Sequence, residues 1–307
     1  MSDTCPSPAQ VTAGLAAHGP ALLEVSGLCK SLPIADGTVL EVSRDITFTL
    51  RAGEFMSIVG PSGAGKTTLL RTVSGLIQPD RGSVMHRGQA VRQVPSWLSI
   101  VFQEYNKSLF PWLTVRKNVM LAVHSQPKAE ARQRMAEALN LVGLYDFADH
   151  YPWELSGGMQ QRVALARAMA SHPELLMMDE PFASVDALTR AHLENMVQRL
   201  WAEAGFAALL VTHDIGEAVY LSDRVLALSS RPSTVLAEIL VDLPRPRDRA
   251  TRALPRFYEL CNQVLSYIEN PEEREPAAAP HHPSACSPAG TSRPDLSCHR
   301  KVVVRDD

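Results

Sequence analysis

The chain has 307 residues, 45% hydrophobic and 21% charged, enough to bury a sizeable core. A net charge of −3 removes the electrostatic case for a nucleic-acid partner, and no apolar run approaches the roughly 18 residues of a membrane span. Five scattered cysteines without a C-x-x-C pair point to neither a disulfide framework nor a zinc site, no secretory signal opens the chain, and a reducing cytosol fits.

Residues 1–20 are small and polar, with Pro6, Pro8 and Pro20, and are expected to be disordered. From about Leu22 to Val241 short apolar runs alternate with helical patterns, the signature of an α/β fold. Ile46–Leu50 and Phe55–Val59 read as strands. Directly after them stand Gly60-Pro61-Ser62-Gly63-Ala64-Gly65-Lys66-Thr67, which match G-x-x-x-x-G-K-[ST], and Thr68 to Val73 reads as the first turns of a helix. Strand, glycine loop and helix form the context that gives this phosphate-loop match its meaning. The glycines let backbone N–H groups curl round phosphate oxygens, and the helix N-terminus adds favourable partial charge. Lys66 suits the β- and γ-phosphates, and the Thr67 hydroxyl suits Mg²⁺.

Ser99–Phe102 reads as a strand that ends at Gln103. Residues 128–142 place Met135, Ala138, Leu139 and Val142 on one helical face between two strand-rich halves, so a helical insertion is expected at about 106–170. Within it, Ser156-Gly157-Gly158 precedes a helical run from Met159 to Ala170 that includes Gln160. Free N–H groups at that helix start could hold an anion, or Ser156 could be a simple N-cap. Leu175–Met178 reads as an apolar strand ending in Asp179 and Glu180. Asp179 would lie beside the Mg²⁺ site and Glu180 could polarise a water, although acidic strand ends are also common without such a role. Leu193, Met196, Val197, Leu200 and Trp201 form an amphipathic stripe, followed by strands at Ala208–Val211 and Val225–Leu228. Phe257 to Ile268 make a last stripe in an amphipathic helix at 251–270, and the Pro/Ala/Ser-rich 271–307 is expected to be a disordered tail.

Leu155-Ser156-Gly157-Gly158-Met159-Gln160 resembles the signature sequence of the ATP-binding cassette (ABC) ATPases. The motif order agrees: phosphate loop, Gln103, signature, acidic strand, Ser184-Val185-Asp186 and His213. This resemblance covers about 22–245, within a domain placed at 21–250. It implies a P-loop NTPase of the ABC type: a RecA-like core, a β-rich N-terminal subdomain and an inserted α-helical subdomain. It also implies a head-to-tail homodimer. Each ATP would lie between residues 60–68 of one subunit and Ser156, Gly157, Gly158 and Gln160 of the other. Thr67, Gln103 and Asp179 would hold Mg²⁺, Glu180 would act on water, His213 would contact the γ-phosphate, and Asp186 would bridge the dimer.

A narrower likeness is carried by Phe102 to Val115, by Met178 to Asp186, and by Leu243-Pro244-Arg245-Pro246-Arg247. These resemble the ABC ATPases of nitrate, sulfonate/taurine and bicarbonate importers. The likeness implies an energy-coupling subunit at the cytoplasmic face of the inner membrane. Its partners would be integral-membrane permease subunits and a separate extracytoplasmic solute-binding protein. Phe110, Pro111 and Trp112 read either as a packed turn or as a surface for a permease helix, and their place after Gln103 favours the second. A soluble ABC ATPase acting on DNA or the ribosome would usually carry two cassettes or a long coiled coil. An exporter cassette is often fused to membrane spans. This chain has one copy of each motif, no long heptad stretch and no span. One departure stands out. Cassettes usually place an aromatic upstream of the phosphate loop to stack on adenine, yet Leu32 occupies that place and Phe48 is the first aromatic.

Overall fold

The computed structural model describes residues 19–34 and 37–270. Residues 1–18 and 271–307, for which disorder is expected, lie outside the described residues.

The described chain forms two sheets. Strands β1 (Ala21–Pro33), β2 (Val39–Arg51), β4 (Arg81–His86) and β5 (Gln89–Ala90) make an antiparallel sheet in the order β2-β1-β4-β5. The second sheet has the order β10-β9-β3-β8-β7-β6, from β3 (Phe55–Val59), β6 (Leu98–Val101), β7 (Leu175–Asp179), β8 (Ala207–Thr212), β9 (Arg224–Leu228) and β10 (Val235–Leu240). All its pairings are parallel except that of β9 with β10.

The central strands are buried along their whole length and mostly apolar because both faces of the sheet are covered. Side chains alternate along a strand, so each strand feeds two cores. Met56, Ile58, Met177, Leu209, Val211 and Leu226 pack with Leu23, Val25, Ile46 and Phe48 of the antiparallel sheet. Leu69, Leu70 and Val73 of α1 (Lys66–Val73) join that core. Phe55, Val59, Leu176, Met178, Leu210 and Val225 face the other core, built on α5 (Gly157–Ala170), α6 (Ala187–Ala204), α7 (Ile215–Leu221) and α8 (Pro255–Glu269).

Between β6 and β7 the chain runs through α2 (Tyr105–Ser108), α3 (Val115–Met120), α4 (Lys128–Leu141) and α5. Buried Asn118 fixes the loop ahead of α3. Its amide donates to the carbonyls of Phe110 at 3.1 Å and Leu113 at 3.0 Å, and its oxygen accepts from Phe110 N–H at 2.9 Å. Arg167 of α5 donates to the Ser108 carbonyl at 2.6 Å, which ties this loop to the helical core.

A buried ion pair joins the sheets. Arg224 and Glu54 are 4% and 0% exposed, and their closest approach is 2.7 Å. Arg224 also reaches Glu238 and the Thr49 carbonyl. At the end of α7, buried Arg247 donates to the carbonyls of Val219 (3.1 Å), Tyr220 (3.0 Å) and Ser222 (2.7 Å). It thereby satisfies groups that a helix C-terminus leaves open. Burial, with the neighbouring Arg245 charge, pushes its pKa down to about 10.

The strand expected at Ser99–Phe102 lies one residue earlier. Leu98 pairs with Leu175 and Val101 with Met178, and the chain leaves the sheet at Phe102. Strands β1, β4, β5 and β10 go beyond the expected elements.

Candidate active site at the phosphate loop

The strand order sets the site. Strands β3, β8, β7 and β6 are parallel neighbours, and the residues singled out by sequence follow their C-terminal ends: the phosphate loop after β3, His213 after β8, Asp179 and Glu180 at the end of β7, and Gln103 after β6. Ligand sites of open parallel sheets form at this edge.

In the loop, Gly65 has a φ of +96°, and a Cβ there would lie 2.3 Å from Val42 Cγ1 of β2. Only glycine fits. The Ala64 N–H donates to the Pro61 carbonyl at 3.1 Å, and α1 starts at Lys66. Ser62 is exposed, and the Thr68 carbonyl accepts from the Thr72 hydroxyl at 2.8 Å. The Lys66 ammonium, 5% exposed, donates to the carbonyls of Gly60 at 2.9 Å and Pro61 at 3.1 Å. Burial pushes its pKa down, opposed by the charges of Glu180 and Asp179.

The Thr67 hydroxyl donates to Asp179 Oδ1 at 3.1 Å. Burial pushes the Asp179 carboxyl up, and the Thr67 bond opposes the shift. Glu180 is the hub. Its Oε2 lies 3.0 Å from His213 Nδ1 and 3.4 Å from Gln103 Nε2, and its Oε1 is 4.0 Å from Lys66 Nζ. Its backbone has a φ of +43° and is held by an N–H bond of 2.8 Å to the Val211 carbonyl. A positive φ in a non-glycine residue costs on the order of 1–3 kcal/mol and occurs preferentially at functional sites.

The signature residues lie elsewhere on the surface. Ser156 caps α5, accepting from Met159 N–H at 3.3 Å, and Gln160 donates to the carbonyls of Pro152 at 2.9 Å and Leu155 at 3.2 Å. Ser156 and Gly157 are exposed, and among the described residues no hydrogen bond or ion pair joins 156–160 to 60–68. A Cβ at Gly158 would lie 2.6 Å from Thr189 Cγ2, so the starts of α5 and α6 abut. Asp186 caps α6, accepting from the N–H groups of Leu188 at 3.1 Å and Thr189 at 3.0 Å. The Thr189 bonds, with a smaller contribution from Leu188, hold its carboxyl below the usual range.

Three features carry little sequence signal. Arg231, in the β9–β10 turn, donates to the Gly63 carbonyl at 2.8 Å. It is brought there by the contact of Ser233 with β2, where Ser233 N–H donates to the Val42 carbonyl at 2.9 Å. Glu217 of α7 is buried beside Thr212. Tyr151 and Trp153 stack with centroids 4.5 Å apart on the helical subdomain. Phe110 and Trp112, 41% and 68% exposed, meet edge to face at 5.4 Å. The two aromatic pairs flank a backbone junction, where Val115 N–H donates to the His150 carbonyl at 2.8 Å. Leu32 is half-buried and pairs with Leu40 across β1 and β2. Among the described residues no helix is long and apolar enough to cross a membrane.

Residues 43–183 match the family described as ABC transporter. The chain is 45% identical over 232 residues to the nitrate import ATP-binding protein NrtC of Synechococcus elongatus, covering 74% of this chain and 35% of that one. It therefore spans about a third of the length of that relative. It is 40% identical over 250 residues to an uncharacterised ABC transporter ATP-binding protein of Methanocaldococcus jannaschii, covering 81% of this chain and 91% of that one. The fold is similar to that of a dimeric ATP-binding cassette in a post-hydrolysis state bound to ADP and Pi. The TM-score is 0.63 at 29% identity, covering 72% of this chain and 99% of that one. With the strand-end site geometry, these likenesses show that the chain belongs to the ABC transporter family of ATP-binding proteins.

Proposed function

We propose that the chain is the ATP-hydrolysing, energy-coupling subunit of an ABC importer for a small anionic solute of the nitrate, sulfonate/taurine or bicarbonate class. The observation that carries the reading is the meeting of Lys66, Gln103 and His213 at the Glu180 carboxylate, beside the Thr67–Asp179 pair.

The backbone of residues 60–68 cradles the ATP phosphates, and Lys66 exchanges the Gly60 and Pro61 carbonyls for phosphate oxygens. The Thr67 hydroxyl and the buried Asp179 carboxylate are hard oxygen donors in contact at the mouth of the loop, a donor set that fits Mg²⁺, and the amide of Gln103, which meets Glu180, would add a third oxygen. When bound, the ion neutralises charge on the β- and γ-phosphates. Glu180 orients the attacking water and accepts its proton. His213 steadies the Glu180 carboxylate and contacts the γ-phosphate, while Gln103 reports nucleotide state to the membrane partner.

Residues 156–160 make no bond to the loop of their own chain, which supports a site completed by the signature of a second copy. A homodimer follows, with Asp186 next to the signature at its interface. The dimeric solved relative supports this arrangement. Phe110 and Trp112 receive a cytoplasmic helix of an integral-membrane permease subunit, which places the chain at the cytoplasmic face of the inner membrane. A separate extracytoplasmic binding protein delivers the solute. The name of the nitrate-import relative supports the solute class.

The test is ATP hydrolysis in proteoliposomes that hold the chain with its permease subunits. Nitrate, taurine, an alkanesulfonate and bicarbonate are offered in turn with the binding protein. Stimulation by one of these anions is expected. Hydrolysis that never responds to any of them, or a chain that does not copurify with the permease, contradicts the proposal.

A further inference from the structure

Glu217 is 4% exposed, yet no role above uses it. Its Oε2 accepts from the Thr212 hydroxyl. That same hydroxyl accepts from the Asp214 N–H at 3.1 Å, and the Glu217 N–H donates to Asp214 Oδ1 at 3.0 Å. These bonds enclose His213: Thr212, before it, is tied to the Glu217 side chain, and Asp214, after it, to the Thr212 hydroxyl and the Glu217 backbone N–H. His213 itself lies 3.0 Å from Glu180 Oε2. Around the clamp, Arg190 of α6 reaches Asp214 Oδ2 at 3.5 Å, and Glu194 of α6 holds Arg252 at 2.5 Å.

A buried carboxyl is a costly way to fill space beside two other acids, Glu194 and Asp214. An apolar side chain would serve packing alone. Directional bonds instead fix a backbone more sharply than apolar contact does. We infer that Glu217 is a positioning residue for ATP hydrolysis, whose carboxyl fixes the Thr212 hydroxyl, and through it the Asp214 N–H, to hold the His213 imidazole against Glu180. This rests on the proposed roles of Glu180 and His213. Burial pushes the Glu217 carboxyl up to about 8, opposed by the Thr212 bond, with Glu194 and Asp214 adding to the rise and Arg190 opposing it. Glutamine therefore copies the neutral side chain at pH 7 and keeps the acceptor for Thr212.

The test is steady-state ATP hydrolysis by the full chain. Glu217→Ala should lower kcat about 10- to 100-fold, as expected for a slight misplacement of a catalytic group, while KM for ATP stays within about twofold. Glu217→Gln should recover most of that loss. Thr212→Val breaks the clamp from its other end and should copy the kcat loss, so it carries the test if Glu217→Ala does not fold. The discriminating readout is non-additivity. In a His213→Ala background, Glu217→Ala should change kcat by less than about twofold, because the group it positions is gone. Full additivity would mean that Glu217 only stabilises α7, and would overturn the inference. So would wild-type kcat in folded Glu217→Ala and Thr212→Val while His213→Ala is slow. Wild-type turnover in His213→Ala would instead overturn the proposed role of His213, and this inference with it.

Discussion

Glu217 makes stability depend on pH in a way that one substitution isolates. Its folded pKa is about 8 against an ordinary 4.5, because burial penalises the charged form. Between those values the folded chain keeps a proton that the unfolded chain has released. Stability from this group is therefore present below about pH 4.5 and declines as pH rises toward 8, with a limiting slope of about 1.4 kcal/mol per pH unit. From pH 5.5 to 7.5 that amounts to roughly 2–3 kcal/mol. Glu217→Gln has no proton to lose. The stability of Glu217→Gln relative to wild type should thus rise by on the order of 2 kcal/mol over that range. The raised carboxyl of Asp179 is common to both proteins and cancels in the difference, whereas Glu194, coupled to Glu217, contributes to it. Urea midpoints of the two proteins at pH 5.5, 6.5 and 7.5, without nucleotide, measure it. A difference that stays flat, or that shrinks with pH, refutes a neutral buried carboxyl at Glu217.

Lys66→Ala should weaken ATP binding at least tenfold, since it removes a buried ammonium at the loop mouth; equilibrium titration with a fluorescent ATP analogue reads it, and undiminished affinity contradicts the role. Leu32→Tyr should tighten ATP severalfold, given that base–aromatic stacking contributes on the order of 1–3 kcal/mol. The wild type should discriminate weakly between ATP and GTP, and titration of both proteins with both nucleotides checks this. Glu54→Ala leaves Arg224, among the described residues, with the carboxylate of Glu238 alone and should cost on the order of 3 kcal/mol in a urea melt, so a loss below about 1 kcal/mol counts against the buried pair as a strut between the sheets.

The parts of the fold that could be read from sequence are those whose pattern is local. Phe55–Val59 and Leu175–Met178 are short apolar runs buried on both faces, and they stand out without knowledge of a partner. Strand β4, Arg81-Gly82-Ser83-Val84-Met85-His86, has no such pattern, because its pairing with β1 decides its conformation. Strand β1 is interrupted at Gly27, which has a φ of +58° and lies at a register shift. In the site, Asp179 and Glu180 were legible as an acidic strand end, whereas Gln103 and His213 were singled out only by the ABC resemblance; parallel neighbours deliver all four to one edge. Their meeting at Glu180 depends on the order β3-β8-β7-β6, which spacing along the chain does not encode. Arg231 reaches Gly63 only through the pairing of the β9–β10 turn with β2, and Glu217 matters only through its bond to Thr212. Both are contacts between segments, so residue type alone gave no signal.

In the proposed function Glu180 drives hydrolysis at a site completed by a second copy. Single-turnover ATP hydrolysis by Glu180→Gln, with size-exclusion chromatography in ATP and Mg²⁺, measures both parts at once. The substitution keeps Thr67 and Asp179 in place but removes the carboxylate that receives the water's proton. The rate should fall at least about 100-fold with ATP affinity retained, and the variant should elute as a stable dimer only with ATP. Wild-type hydrolysis would contradict the role of Glu180, and a monomer under saturating ATP would contradict the shared site.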